Sequence, residues 1–146
     1  MLHEGVLIVD WVIPDGAPRL RMVERFQELA DLISLTLRRL GVDARTGSIP
    51  GEYCPGAYSV NAGGRHKIAG LAQRLYPRAA HVSAAIVVDH ESRLLDVTDA
   101  VYRALGIEWD TGTFGSVRMA VPSVTWQDLA QALRESLPSA DRRADA

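Results

Sequence analysis

The stretch Gly51–Arg74, GEYCPGAYSVNAGGRHKIAGLAQR, decides how this chain reads. It holds the only cysteine, Cys54, and the only lysine, Lys67, of a chain whose other basic residues are arginines. Ala57 to Ala62 alternates in polarity, Gly63-Gly64 supplies a tight turn, and Arg65 to Leu75 returns, which predicts a β-hairpin. In that hairpin Lys67 pairs near Val60, and Cys54 lies six residues further along. A strand that simply continued at about 3.3 Å per residue would leave them roughly 20 Å apart. Pro55-Gly56 must therefore bend the chain back if the two side chains are to meet. A thiol is the best side-chain nucleophile near neutral pH once its proton is lost, and an ammonium can pin a carbonyl oxygen. The pair points to acyl-transfer chemistry.

Outward from the hairpin, the elements alternate between helix and strand signals. Val6 to Ile13 is rich in β-branched residues and predicts a buried strand ended by Pro14-Asp15-Gly16. Leu20, Val23, Phe26, Ala30, Ile33, Leu37 and Leu40 recur at three- and four-residue spacing, one face of a long helix closed by Gly41. Val42-Asp43-Ala44 reads as a short strand, and His81 to Asp89 as another buried strand. Leu94, Val97, Val101 and Leu105 mark a helix ending at Gly106, and Thr125-Trp126-Gln127-Asp128 opens a last one with a capping-box pattern. This order predicts an α+β fold with a mixed, largely antiparallel sheet and packed helices, in one domain over 1–138. Residues 139–146, small and charged, read as a disordered tail.

Composition excludes several classes. A length of 146 residues suits a single core, and a formal net charge of −2 gives no support to nucleic-acid binding. One cysteine can form neither an internal disulfide nor a cysteine-rich zinc site, and no Asp, Glu or His spacing suggests a metal. The longest apolar run, Val6 to Ile13, is broken by Asp10 and too short to cross a bilayer. Met1-Leu2-His3-Glu4 lacks the start of a secretory signal, so a cytoplasmic location is expected.

The decapeptide Arg65-His66-Lys67-Ile68-Ala69-Gly70-Leu71-Ala72-Gln73-Arg74 resembles the lysine strand of the lipoate–protein ligase, octanoyltransferase and biotin ligase superfamily. The segment Leu40-Gly41-Val42-Asp43-Ala44, the strand His81 to Asp89 and Gly115-Ser116-Val117 are similar to further elements of that family. Tyr53-Cys54-Pro55-Gly56-Ala57-Tyr58 is closest to its cysteine-dependent lipoyl and octanoyl transferase branch. The resemblance implies a core like that of class II aminoacyl-tRNA synthetases and biotin ligases, with Cys54 as the acylated nucleophile and Lys67 as the acyl-positioning residue. It further implies Gly70, Ala72, His81 and Ser83 as substrate-binding positions. The family's acyl-binding loop, with its arginine pair and double glycine, precedes the first strand seen here, so the chain reads as incomplete at its N-terminus and the groove beside Lys67 as open. An apolar floor including Ile68 and Ala85 is then expected to be partly uncovered, favouring self-association or a partner.

Read without that context, a lone cysteine is usually a small buried apolar residue, and a lone lysine can reflect codon usage alone. His81 reads as a strand-end histidine rather than a general base, His66 as exposed on the far side of the strand from Lys67, and Trp11, Trp109 and Trp126 as packing residues. Three functions remain open. The first is a transferase that moves lipoyl or octanoyl groups through a cysteine thioester and needs no cofactor. The second is an ATP-dependent ligase, which would use ATP and magnesium. The third is a non-catalytic fragment or partner subunit that binds an acyl-carrier domain. The expected macromolecular partner is a lipoyl carrier domain, such as a glycine cleavage H protein or a 2-oxoacid dehydrogenase subunit, or an acyl carrier protein.

Overall fold

In the computed structural model, which describes residues 3–137, the β-branched first segment forms β1 (Val6–Pro14) and pairs antiparallel with β5 (Ala79–Val87) along its whole length. The remaining strands are β2 (Ala44–Thr46), β3 (Val60–Ala62) and β4 (His66–Tyr76), and the sheet order is β1-β5-β4-β3-β2 with every neighbouring pair antiparallel. The hairpin β3–β4 thus sits at the centre of the sheet, as the sequence predicted. Gly63 and Gly64 both adopt positive φ, 61° and 71°, and the Arg65 N–H closes the turn on the Ala62 carbonyl. Two consecutive left-handed residues are what such a two-residue turn demands, and glycine takes that conformation without a Cβ penalty.

The helices divide between the faces of the sheet. α1 (Met22–Arg39) lies with α4 (Trp126–Ser136) over one face, where Leu29, Ile33, Leu37, Leu129 and Leu133 bury against Val82, Ala84 and Ile86 of β5. α2 (Glu91–Leu105) follows β5, and the one-turn α3 (Val117–Ala120) joins it to α4. Thr125 and Asp128 form the predicted capping box, each side chain accepting from the other's backbone N–H.

The buried stripe of α1 is shifted from the one predicted. Leu20 precedes the helix and is 83% exposed, Val23 is also exposed, and the inward face carries Arg25, Leu29, Ala30, Ile33 and Leu37. Arg25 lies outside the predicted stripe, yet it is buried because three partners meet its guanidinium. It donates to Asp15 at 2.6 Å, to Gln73 of β4 at 2.8 Å, and to the Pro18 carbonyl. In α2 only Leu94 of the predicted stripe is buried, because the helix meets the rest of the molecule through Leu94, Leu95 and Tyr102 rather than along that stripe; Val97, Val101 and Leu105 are 44%, 49% and 64% exposed. Strand β3 begins at Val60 rather than Ala57, and β2 at Ala44 rather than Val42. The predicted tail lies outside the described residues.

Ile86 is fully buried between α1 and the sheet, so Ile86→Ala should lower unfolding free energy by about 2–5 kcal/mol in urea titrations. The Ala17 N–H, and then Arg25, hold the Asp15 carboxyl below its ordinary value of 3.8. Its contribution to stability is therefore complete above that value and is lost as pH falls through the lower folded-state value. Thermal melts from neutral pH to below 4 should show a smaller loss for Asp15→Asn than for the parent chain.

Candidate functional site

One extra residue in β4 aims Lys67. Val60 pairs with Ala69 and Asn61 with Lys67, which leaves Ile68 without a counterpart on β3. Such a bulge breaks the two-residue alternation and turns the side chain beside it. Under strict alternation Lys67 would share the face of Ala69 and Leu71, toward α1. Instead its side chain runs over Gly70, where an added Cβ would lie 3.7 Å from Lys67 Cε, and it opens on the same face as Gly70 and Ala72. Ile68 turns into the core and is fully buried, which corrects the expectation that it floors the open groove; Ala85 does lie there, exposed.

Phe114, after the 3-10 turn Thr111–Thr113, makes a single parallel bridge to Lys67 at the start of β4. The Gly115 N–H donates to the Lys67 carbonyl at 3.1 Å. A Cβ at Gly115 would come within 2.6 Å of His66 Cβ, so this approach requires glycine. His66 is half-buried beside Gly115 rather than exposed.

The loop from Gly47 to Ser59 folds back over the lysine, as the Pro55-Gly56 bend allows. Lys67 is 1% exposed, and its Nζ donates to the Cys54 carbonyl at 2.7 Å, the Tyr53 carbonyl at 2.9 Å and Glu52 Oε1 at 3.3 Å. Three acceptors use all three protons of an ammonium. The Tyr53 ring lies 4.7 Å from Nζ and adds its π-face. Tyr53 in turn packs on Phe114 and Trp109, with centroids 5.0 and 5.7 Å away, and burial pushes its phenol well above the usual tyrosine range. The bonds of Nζ thus go to the backbone of Cys54 and not to its sulfur.

Cys54 is exposed and adopts φ +42°, a left-handed conformation uncommon for a residue with a side chain. Its N–H donates to the Tyr102 hydroxyl of α2 at 2.6 Å, so helix and loop together hold it. Strain maintained at one loop residue by surrounding bonds is a recurrent feature of functional sites.

Cys54 and Lys67 open on one cavity of about 470 Å³, within the range of small-molecule sites. Its walls are mainly apolar, with Val6, Phe26, Leu71, Val87, Leu94 and Phe114 among them. Gly70 and Ala72 of the predicted set line it, and their lack of bulk leaves space over the sheet. Ser83 and His81 lie further along the same face of the sheet, opposite Ala72 and Arg74 in the register and outside the lining. There His81 Nε2 meets Asp10 at 2.7 Å, and hydrogen bonds from His81 and Ser83 hold the Asp10 carboxyl below its ordinary range. Sequence reasoning missed Glu52, Tyr102 and Arg25. Glu52 stands two residues before Cys54 in the quoted stretch, and an acidic residue in that Gly-rich, apolar setting was the available signal.

No family model matches the chain. Curated relatives do. The octanoyl-[GcvH]:protein N-octanoyltransferase of Oceanobacillus iheyensis is 34% identical over 90 residues, 62% of this chain and 31% of the relative. The enzyme of the same name from Bacillus velezensis is 27% identical over 142 residues, 97% of this chain and 49% of the relative. Among solved structures, a lipoate protein ligase of Thermoplasma acidophilum superposes with a TM-score of 0.67 at 21% identity, covering 91% of this chain and 50% of that one. The chain therefore spans about half, or less, of the length of the curated relatives it matches. In both sequence and fold, it matches the lipoate–protein ligase and octanoyltransferase superfamily read from the Lys67 decapeptide.

Proposed function

We propose that this chain carries the acyl-transfer site of an octanoyl or lipoyl transferase that acts on lipoyl carrier domains through a thioester on Cys54. The observation that carries this reading is that the lone cysteine and the lone lysine open on one apolar cavity. The names of the curated relatives specify octanoyl-[GcvH] and N-octanoyl transfer, and the Thermoplasma ligase has been described as bi-partite, together with its E2 lipoyl domain. Both support a lipoyl carrier as partner, and the second supports a site built on about half of a longer assembly.

The geometry supports the following chemistry. The acyl chain lies in the cavity with its carbonyl at the mouth. Lys67 exchanges one of its two loop carbonyls for the acyl oxygen and stabilises the charge that develops there. The Cys54 thiolate attacks the acyl carbon, an S–C bond forms, the donor's bond to that carbon breaks, and the departing atom takes a proton. An amine of the acceptor carrier then attacks the thioester, releasing the Cys54 thiol. Exchange between a carrier thioester and Cys54 is close to isoenergetic, and passing the acyl group from the Cys54 thioester to an amine is downhill, so with a thioester donor this route consumes no ATP.

Incubation with an octanoylated carrier domain should add one octanoyl mass that hydroxylamine removes. Cys54→Ala should abolish it, and Lys67→Ala should slow it by roughly 10²–10³-fold, the usual cost of one oxyanion donor. A second reading is favoured by a structural neighbour, lipoate-protein ligase A, solved with ATP bound. If acyl transfer proceeds undiminished in Cys54→Ala, and only with ATP, the ligase reading replaces the transferase. If neither cysteine acylation nor ATP-dependent transfer occurs, the chain has no acyl-transfer activity of its own.

A further inference from the structure

Glu52 takes no part in the transfer step above, yet it is 4% exposed beside the buried lysine. Its Oε1 accepts from Ser59 Oγ–H at 2.7 Å, the Gly56 N–H at 3.1 Å and Lys67 Nζ at 3.3 Å, and its Oε2 accepts from the Ile49 N–H at 3.1 Å. One carboxylate therefore ties the loop on both sides of Cys54 to the strand that carries Lys67. The cavity is lined by Tyr53, Cys54, Ser59 and Lys67, but Glu52 stays behind them and does not reach it.

We propose that Glu52 is a positioning residue for acyl transfer, fixing the Lys67 ammonium and the Cys54 loop relative to one another. This rests on the transferase reading. The partners of Lys67 differ in kind. The Tyr53 and Cys54 carbonyls are neutral dipoles, and an acyl carbonyl can replace either at little cost. The Glu52 contact is a buried ion pair, and separating it would leave two unpaired charges out of water. Glu52 is thus the contact that persists while a carbonyl is exchanged. It keeps the ammonium at a fixed point when one loop bond is given up, and it keeps Cys54 at the cavity mouth through Gly56 and Ser59.

The decisive variant is Glu52→Gln, which preserves shape and an acceptor oxygen but removes the charge. Two reagents report separately, because the chain has one cysteine and one lysine. Iodoacetamide reads the Cys54 loop, and trinitrobenzenesulfonate, followed by mass spectrometry on the peptide that contains Lys67 because the α-amino group and thiol also react, reads burial of Lys67. In Glu52→Gln, alkylation of Cys54 should stay within about twofold, while modification of Lys67 should rise at least about tenfold as the ammonium loses its ionic partner. With octanoylated carrier domain, kcat should fall about 30-fold or more and KM should change little, because the loss is confined to the step in which Lys67 exchanges partners. Glu52→Asp, which restores the charge, should recover part of both effects and carries the same comparison if Glu52→Gln does not fold. A Glu52→Gln protein with wild-type protection of Lys67 and wild-type kcat overturns the proposal, as does equal loss in Glu52→Asp and Glu52→Gln. If the parent chain accepts no octanoyl group, the transferase reading fails, and the Lys67 modification ratio alone decides the placement of Glu52.

Discussion

The buried ammonium of Lys67 is the constraint around which the site is built. Removing an ammonium from water costs several kcal/mol unless charge and hydrogen bonds replace hydration. Here a carboxylate, two backbone carbonyls and the face of an aromatic ring supply that replacement. Each comes from the Glu52-Tyr53-Cys54 tripeptide. Solvating the lysine and folding the cysteine loop are therefore the same event: the loop cannot leave without exposing or stranding the charge.

The sheet makes this possible by treating its two faces differently. One face is covered by α1 and α4 and is filled with Leu, Ile and Val. The other keeps small residues, Gly70, Ala72 and Ala85, where a cavity must form. The bulge at Ile68 moves Lys67 from the first face to the second and sends the apolar Ile68 into the core in exchange. Tyr53 and Phe114 line the cavity beside Lys67 with Trp109 packed against both, and Tyr102, in contact with Trp109, holds the Cys54 backbone. Site and fold are thus coupled through backbone bonds as well as side chains.

Local signals were legible in the sequence where one interaction decides the outcome. The β-branched run Val6–Ile13 became β1, the paired glycines became the central turn, and Thr125 with Asp128 capped α4. Gathering Cys54 and Lys67 at one cavity followed from the resemblance rather than from spacing, which by itself left them about 20 Å apart. Non-local balances were not legible. Arg25 is buried only because Asp15 and Gln73, far apart in sequence, converge on it. No periodicity argument contains a single inserted residue, so the bulge and the true direction of Ile68 were hidden. The apolar spacing along α2 is real, but only Leu94 of that stripe finds a packing surface, so the rest of the stripe stays exposed.

The presence of one lysine allows a direct test of the central claim, that Lys67 is a charged group held by the loop that carries Cys54. In a protein labelled uniformly with 15N, the side-chain ammonium region should contain a single lysine resonance. Protected by burial and three acceptors, its protons should exchange slowly enough to be observed at neutral pH and should show through-space contacts to Tyr53 and Cys54. A resonance bleached by solvent exchange, or contacts only to β4 and none to the loop, would contradict the account.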